Sequence, residues 1–356
     1  MYKDSHRPSG DRQVQDDTHR GTGLPTEIHP SRERYGSVHL RDPRRTSAGL
    51  ESLRHRSSMK QAWLELPERS NLFWLNTINW ISLRVGRWLS CLLLYPITAY
   101  FVVFSYRTRT ASRDFLRRVL GRDCGWAEVF KHYHTFACTL LDRLYIFAGQ
   151  DQRLDIRIQG LEVLDSYARS GRGCLLVGAH LGSFEIVRAV GLLRSEYRIK
   201  ALVYGEATPC ITGLYRKLNP SLFKDIIYMG GVGSLVGLDE HAHQGGIIAL
   251  LGDRSVHAGK RVRCEFFGEP AWFPEAPALL SRILDMPLVL FFCLHRGDGR
   301  YDVWFEHLAD PPRVSRHERE AAVHDTMQSY ANRLEHYCRL APYNWFNFYD
   351  FWQSDE

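Results

Sequence analysis

Residues 173–185 read GCLLVGAHLGSFE, a short apolar run followed by a histidine and, five residues later, a glutamate. The run follows a Ser-Gly-Arg-Gly turn at residues 170–173, and short apolar runs bounded by turn residues are typical of buried strands. From residue 186 onward apolar positions recur at helical spacing, and Ser183 is the predicted N-cap. The stretch therefore predicts a buried strand, a corner and a helix.

The histidine and the glutamate can pair only if the chain turns between them. Along one continuous helix, His180 and Glu185 would lie about 140° apart, and Gly182 permits the necessary turn. We expect His180 on the corner and Glu185 in the first helical turn, where the helix dipole favours its negative charge. Glu185 would then hold one ring nitrogen of His180, while the other nitrogen takes a proton from a substrate hydroxyl. The backbone amides of Gly182 and Ser183 are predicted to hold a developing oxyanion.

Asp253 and Arg254 form a second predicted part of the site. They follow an apolar strand predicted at residues 246–251, so they lie at the same sheet edge as His180 if the two strands are parallel. Arg254 is predicted to clamp a phosphate, either of a phosphopantetheine arm or of an acceptor headgroup, by charge-assisted hydrogen bonds. Asp253 would orient this arginine. The alternative is an Asp-Arg pair that only caps a loop.

Six short motifs occur in order along residues 63–352. They are Trp63 with Glu68 and Arg69, Arg109 with Ser112 and Arg113, and residues 178–185, 251–254, 266–274 and 345–352. A bare His-x4-(Asp/Glu) pattern is weak, whereas six blocks in order are specific. Together they resemble the lipid A late acyltransferases of the lysophospholipid acyltransferase superfamily. One departure is Pro274-Glu275-Ala276, where the family usually has Pro-x-Gly.

The alternation of predicted strands and helices after residue 150 indicates a three-layer αβα fold with a mostly parallel sheet. The resemblance implies that a membrane-associated helical segment precedes it. We expect a disordered basic extension at residues 1–60, the membrane-associated segment at 61–125 and the acyltransferase catalytic domain at 126–356.

Most of the net positive charge lies in the extension. It holds 12 Lys/Arg and 8 Asp/Glu, whereas the net charge of the whole chain is +6. It lacks the apolar core of a signal peptide, and its composition predicts disorder. Translation is predicted to start at Met59. The remaining chain is nearly neutral, without a basic face interleaved with aromatic residues, which argues against a nucleic-acid partner.

Residues 88–106 carry no charge and would be about 28 Å long as a helix, close to the hydrocarbon thickness of a bilayer. They either span the membrane or lie on it. Pro96 interrupts the segment, and basic residues on both sides give no clear orientation. A buried helical hairpin of a soluble protein is the alternative.

The resemblance implies an acyltransferase without a cofactor or metal, at the cytoplasmic face of a bacterial inner membrane. A hydroxyl of a lipid or glycolipid acceptor, deprotonated by His180, would attack the thioester of acyl carrier protein or coenzyme A directly, and the resemblance favours the carrier protein. Three alternatives stay open: a thioesterase or lipid hydrolase that uses the same dyad, a non-catalytic membrane scaffold, and an acyltransferase of an aryl-polyene pigment pathway.

Several other patterns carry less weight. The pairs His132/His134 and His241/His243 lack a completing ligand set, so we expect ordinary surface histidines. Glycines at 231, 233 and 237 are one residue too widely spaced for a dinucleotide loop. The eight scattered cysteines predict reduced, buried thiols. The aromatic segment 343–352 would line an acyl tunnel, lie at the membrane interface or form a core strand.

Overall fold

The structure, a computed structural model, describes residues 84, 86–187, 197–204, 224–229, 232–254, 259–315 and 317–352. The chain divides into two compact units between Ala62 and Trp63, and every described residue belongs to the second. The extension predicted to be disordered lies outside the described residues.

A mostly parallel sheet of seven strands forms the centre of the second unit, in the order β1-β9-β8-β2-β5-β3-β4. Neighbouring strands are parallel except β8 and β9, while β6 and β7 form a separate antiparallel hairpin. The predicted α/β class is therefore confirmed. The strands are β1 (Asp155–Gln159), β2 (Cys174–Gly178), β3 (Ile199–Tyr204), β4 (Ile226–Met229), β5 (Ile247–Leu251), β6 (Arg261–Phe266), β7 (Glu269–Pro274), β8 (Leu288–His295) and β9 (Arg300–Ala309).

Helices surround this sheet and connect its strands. A further helical turn covers residues 184–187, directly after the corner. The helices with printed bounds are α1 (Arg87–Phe104), α2 (Tyr106–Leu120), α3 (Trp126–Phe147), α4 (Leu161–Ser170), α5 (Val232–His243), α6 (Ala276–Ile283) and α7 (Arg319–Leu340), and a 3-10 turn covers Asp151–Arg153.

Strand β2 is buried on both faces, as its continuous apolar sequence predicts. Leu175 and Val177 face one hydrophobic core, to which α2, α6 and α7 contribute. Cys174 and Leu176 face the other core, to which α4 contributes. Two cores on opposite faces of one sheet make the three layers. Because the two cores cover both faces of β2, its carboxyl end is the place where polar side chains can be accessible.

Strand β7 contains Pro270 and Pro274, which argue against a strand at residues 269–274 when the sequence is considered alone. The prolines are tolerated because this hairpin is a separate two-stranded sheet. Its two-residue turn, Phe267-Gly268, has positive φ at both positions (55° and 77°), as the tight hairpin turn requires.

Helix α1 lies antiparallel along α3 and is attached to it at a buried ion pair. Arg87 Nε donates to Asp142 Oδ1 at 2.8 Å, and its Nη2 donates to Oδ2 at 3.1 Å. The hydroxyl of Tyr301 on β9 donates to the same carboxylate at 2.8 Å. At the other end of the contact, the Tyr95 ring lies 4.3 Å from the His134 ring. Helix α1 is thus part of the folded unit along much of its length.

The outer side of α1 remains apolar and exposed. Among the described residues, α1 is the one helix long and apolar enough to cross a membrane, with a mean hydropathy of 1.5 over 18 residues, of which 22% are buried. A helix that is apolar on all sides is typical of a fully buried or membrane-bound position. The exposed large side chains of α1 are Trp88, Leu92, Leu93, Tyr95, Tyr100, Phe101, Val103 and Phe104.

Asp142→Ala should lower the free energy of unfolding by about 3 kcal/mol, because it leaves the Arg87 guanidinium and the Tyr301 hydroxyl without their buried acceptor. The matched control is Asp123→Ala, whose carboxylate pairs with Arg117 in an exposed position and should change stability by less than about 0.5 kcal/mol. Denaturant unfolding of the purified proteins measures both. Equal effects would mean that the buried pair does not hold α1.

Candidate active site

The site lies at the carboxyl ends of β2 and β5, which are paired in parallel register with Gly178 opposite Leu251. His180 and Asp253 follow these two residues at equal distances along their strands, so the register brings them together. The expectation that Asp253 and Arg254 lie at the same sheet edge as His180 agrees with this arrangement. The His180 side chain is 31% exposed, whereas the Asp253 carboxylate is fully buried.

Asp253 holds His180 through two bonds. The Nδ1 atom of the His180 ring lies 2.9 Å from Asp253 Oδ1, and the backbone N–H of His180 donates to Oδ2 at 3.0 Å. The indole Nε1 of Trp345 donates to the same Oδ2 at 2.9 Å. A carboxylate accepts from a ring nitrogen only when that nitrogen carries the proton. Asp253 therefore fixes the neutral ring as the Nδ1–H tautomer and leaves Nε2 as the basic nitrogen.

Glu185 does not occupy the position expected for it. Its Oε2 lies 2.9 Å from Nε of Arg143 on α3, and both side chains are nearly buried. The Arg143 guanidinium also lies over the Phe184 ring, 5.0 Å from its centroid. The expected contact between Glu185 and a ring nitrogen of His180 is therefore not present, since Asp253 holds Nδ1 and Glu185 pairs with Arg143. A sequence separation of five could not reveal a partner 73 residues away.

Gly182 and Ser183 build the corner rather than an oxyanion site. The Gly182 amide donates to the carbonyl of Asn344 at 2.8 Å, and the Ser183 amide donates to the carbonyl of Cys293 at 3.2 Å. Both residues are buried. Their predicted role in holding substrate is therefore corrected, because both donors already have protein acceptors.

The predicted turn at Gly182 is present, with φ of 66°. A Cβ at this position would lie 1.7 Å from the Cys293 carbonyl oxygen. Glycine is thus required twice, for the left-handed backbone and for the close approach to β8.

Arg254 is attached to the segment 343–352 and lies beside the histidine. Its Nη2 donates to the carbonyl of Phe346, and its guanidinium lies 5.4 Å from the centroid of the Tyr349 ring. Its Nε is buried without a hydrogen-bond partner among the described residues. Asp253 does not pair with Arg254 there, so the expectation that Asp253 orients this arginine is wrong.

Three charged groups act on His180. Burial first, then the positive charges of Arg254 and Arg143, lower the pKa of the ring, and Asp253 opposes them. Burial would raise the pKa of Asp253, but His180, Arg254 and the indole N–H of Trp345 outweigh it and hold that pKa well below its usual range. The pair is thus a neutral imidazole beside an ionised carboxylate at neutral pH.

The segment 343–352 closes the site from the carboxyl-terminal side. Trp345 is fully buried and forms an antiparallel bridge with Leu181, and the amide of Phe346 donates to the carbonyl of His180 at 2.9 Å. Among the three predicted roles the core position is the one seen for Trp345, although the segment is not a regular strand. The sequence pointed to this segment through its aromatic residues, yet it gave no sign that one indole would contact Asp253.

One histidine of each pair lies in the interior, whereas surface positions were expected for both pairs. His132 and His241 are buried, not at the surface, and each binds a backbone carbonyl, Trp345 for the first and Arg198 for the second. No group of three metal-ligating side chains occurs among the described residues. Seven cysteines in this part of the chain are free, and all but Cys91 are buried.

A buried, ionised aspartate therefore orients a partly exposed histidine at the end of a parallel sheet, and this arrangement leaves one ring nitrogen able to accept a proton. The sequence model of the bacterial lipid A biosynthesis acyltransferase family matches residues 59–354. The chain belongs to this family and is an acyltransferase. Comparison with curated proteins gave no match.

Gly182→Ala should abolish activity and destabilise the protein by more than the cost of about 1–2 kcal/mol for a left-handed alanine, because its Cβ would collide with the β8 backbone. Gly149→Ala is the matched control, since Gly149 has the same φ of 66° with nothing within 4 Å of a Cβ. Thermal unfolding and acyl transfer are measured for both variants. Two variants of equal stability and activity would contradict the required close approach.

Proposed function

We propose that the protein transfers a fatty acyl group from an acyl thioester to a hydroxyl of a lipid acceptor at the membrane. The observation that carries this proposal is the buried Asp253 carboxylate, which directs the basic Nε2 of the accessible His180 ring. Membership of the family supports the reaction class. The residue that orients the base is Asp253 in this proposal, and Glu185 instead holds Arg143 beside the site.

The reaction proceeds in one direct transfer. His180 Nε2 takes the proton of the acceptor hydroxyl as its oxygen attacks the thioester carbonyl. The tetrahedral intermediate collapses, the carbon–sulfur bond breaks, and the leaving thiolate takes the proton from Nε2. Asp253 stabilises the imidazolium between these two steps. Arg254 supplies a cationic donor to the oxyanion or to a phosphate of either substrate.

Acyl carrier protein is the proposed donor, with coenzyme A as the second candidate. A lipid A precursor fits the family name as acceptor, and an aryl-polyene lipid is the second candidate. Because both donor types are made in the cytoplasm, the site should face the cytoplasmic side of a bacterial inner membrane.

The hydrolase alternative would use water at His180, because the structure offers no accessible serine nucleophile paired with a histidine among the described residues. A serine and a histidine do lie together, Ser112 Oγ 2.8 Å from His132 Nδ1. Both are fully buried, so this serine cannot reach a thioester. Water would have to replace the acceptor at His180 itself.

The first test is acyl transfer by the purified full chain. Labelled acyl carrier protein or acyl coenzyme A is incubated with bacterial membrane lipid, and labelled lipid is separated from free fatty acid. Labelled lipid supports the transferase, and fatty acid alone would contradict it. His180→Ala should abolish transfer, while His324→Ala, which changes an exposed histidine on α7, should not.

Asp253→Asn should lower kcat by about 10³–10⁴-fold, the loss seen when the orienting carboxylate of a catalytic histidine becomes an amide. The amide can donate to Nδ1 and so favours the wrong tautomer. Glu185→Gln should cost less, since it leaves the tautomer of His180 unchanged. A severe loss in Glu185→Gln together with near-normal Asp253→Asn would reverse the assignment.

Activity of the unmodified enzyme should be constant near neutral pH and fall as the pH decreases through the lowered pKa of His180, below 6.5. The reason is that only the neutral ring accepts a proton, and burial together with Arg254 and Arg143 keeps it neutral against the opposing effect of Asp253. The pH profile of kcat/KM measures this. An acid limb above 6.5 would contradict it.

Membrane binding is proposed to use the exposed side of α1. This side carries large apolar and aromatic residues, which bind the interface of a bilayer. Helix α2, which follows directly, exposes Arg107, Arg113 and Arg117 on one face, and such a face fits anionic headgroups. Since α1 lies along α3, the geometry favours a helix in the plane of the interface.

Trp88→Ser combined with Tyr100→Ser should weaken binding to vesicles of phosphatidylethanolamine and phosphatidylglycerol by about tenfold or more, because each buried aromatic side chain contributes about 1.5–3 kcal/mol. The control is Ile283→Ser, which removes an equally exposed apolar side chain from α6. Vesicle flotation measures binding. Unchanged binding of the double variant would show that α1 is not the membrane-binding surface.

A further inference from the structure

The Asp253–His180 pair is the end of a longer buried chain of hydrogen bonds. Trp345 Nε1 donates to Asp253, His132 Nε2 lies 2.9 Å from the carbonyl of Trp345, and Ser112 Oγ lies 2.8 Å from His132 Nδ1. Ser112 belongs to α2 and His132 to α3, so the chain joins the two helices to the sheet edge that carries the base.

We infer that Trp345 and His132 are positioning residues for the base, and that the buried chain from Ser112 to Asp253 sets the orientation and tautomer of His180. This inference rests on the proposed role of His180 as general base. It goes beyond that role by assigning the control of the base to residues that do not touch substrate.

The position of each proton in this chain of hydrogen bonds follows from the neighbouring groups. The Trp345 carbonyl can only accept, so His132 Nε2 must carry a proton. Burial lowers the pKa of His132 to about 4, against the opposing effect of the Trp345 carbonyl, so the ring is neutral and its Nδ1 is an acceptor. The Ser112 hydroxyl must then donate to Nδ1. This assignment excludes His132 as a base that activates Ser112.

Trp345 connects the hydrogen-bond chain to the site through two contacts. Its backbone holds the corner, through the bridge to Leu181. Its indole holds Asp253, and the ring itself has little freedom, because four aromatic side chains pack edge-on around it. Their ring centroids lie 5.0 to 6.2 Å from that of Trp345; they are Phe115, Phe266, Phe351 and Trp352.

The chain also explains why Asp253 is such a rigid acceptor. Its carboxylate accepts three N–H donors, two from His180 and one from Trp345. Removal of the indole donor would leave the His180 backbone N–H as the remaining donor to Oδ2 and would leave the negative charge of the carboxylate less compensated. The His180 ring would then hold a proton more strongly and would be less well aligned with the acceptor hydroxyl.

Trp345→Phe tests the indole donor, with Trp304→Phe as the matched control. Trp304 is partly buried on β9, and its Nε1 has no hydrogen-bond partner among the described residues. We expect Trp345→Phe to lower kcat by about 10- to 100-fold, the range for one lost hydrogen bond to a charged group, with little change in KM. Its acid limb should move to higher pH. Trp304→Phe should change neither.

His132→Gln and His132→Leu test the other end of the chain. Glutamine can place an amide N–H where His132 Nε2 lies and still donate to the Trp345 carbonyl, so this variant should retain most of the activity. Leucine cannot donate and should reproduce the loss in Trp345→Phe. His241→Leu, which removes a buried histidine of α5 that binds the backbone carbonyl of Arg198, controls for destabilisation alone.

A readout independent of turnover comes from ¹⁵N NMR of histidine-labelled full chain, with His180→Ala used to assign the ring. The shifts of Nδ1 and Nε2 report tautomer and protonation directly. The neutral Nδ1–H form should dominate in the unmodified protein, and in Trp345→Phe and His132→Leu the doubly protonated ring should persist to higher pH at its expense.

An unchanged His180 tautomer and pH profile in those two variants would overturn the inference, even if they lost stability. If neither variant folds, His132→Gln decides. An unchanged His180 tautomer and pH profile together with activity as low as that of His180→Ala would overturn the inference as well. Failure of acyl transfer in the unmodified protein would instead contradict the proposed function, and the NMR result would still test the chain.

Discussion

The buried carboxylate of Asp253 is the constraint on which the site depends. A fully buried charge is tolerated only when hydrogen bonds and nearby positive groups compensate it. Asp253 has three N–H donors and the neighbouring Arg254. These donors come from the end of β2 and from the carboxyl-terminal segment, so satisfying one charge fixes the relative positions of three parts of the chain. His180, the proposed base, is positioned as a consequence.

Two buried aspartates organise this molecule in the same physical way. Asp253 joins the sheet edge to the segment of Trp345, and Asp142 joins α1 to α3 and β9 through Arg87 and Tyr301. In each case a carboxylate with several donors specifies a single arrangement, since any other leaves buried polar groups unsatisfied. The first fixes a base, and the second fixes the helix that presents an apolar side to the surroundings.

The positions of most site residues could be predicted from the sequence, but their hydrogen-bond partners could not. The strand before His180, the turn at Gly182 and the shared edge with Asp253 follow from apolar patterning and from parallel register. The partner of His180 did not, because Glu185 is close in sequence whereas Asp253 is close only after β2 and β5 pair. The amides of Gly182 and Ser183 looked free in the sequence, yet Asn344 and Cys293, more than 100 residues away, accept from them.

The α/β class, the corner that carries the histidine and the family follow from the amino-acid sequence, because local periodicity and ordered motifs encode them directly. The folded protein was needed to show that Asp253 orients His180, that Arg143 pairs with Glu185, and that His132 and Trp345 are buried behind the site. These are contacts between distant segments, and their energies depend on burial and donor geometry. Neither quantity exists until the chain has folded.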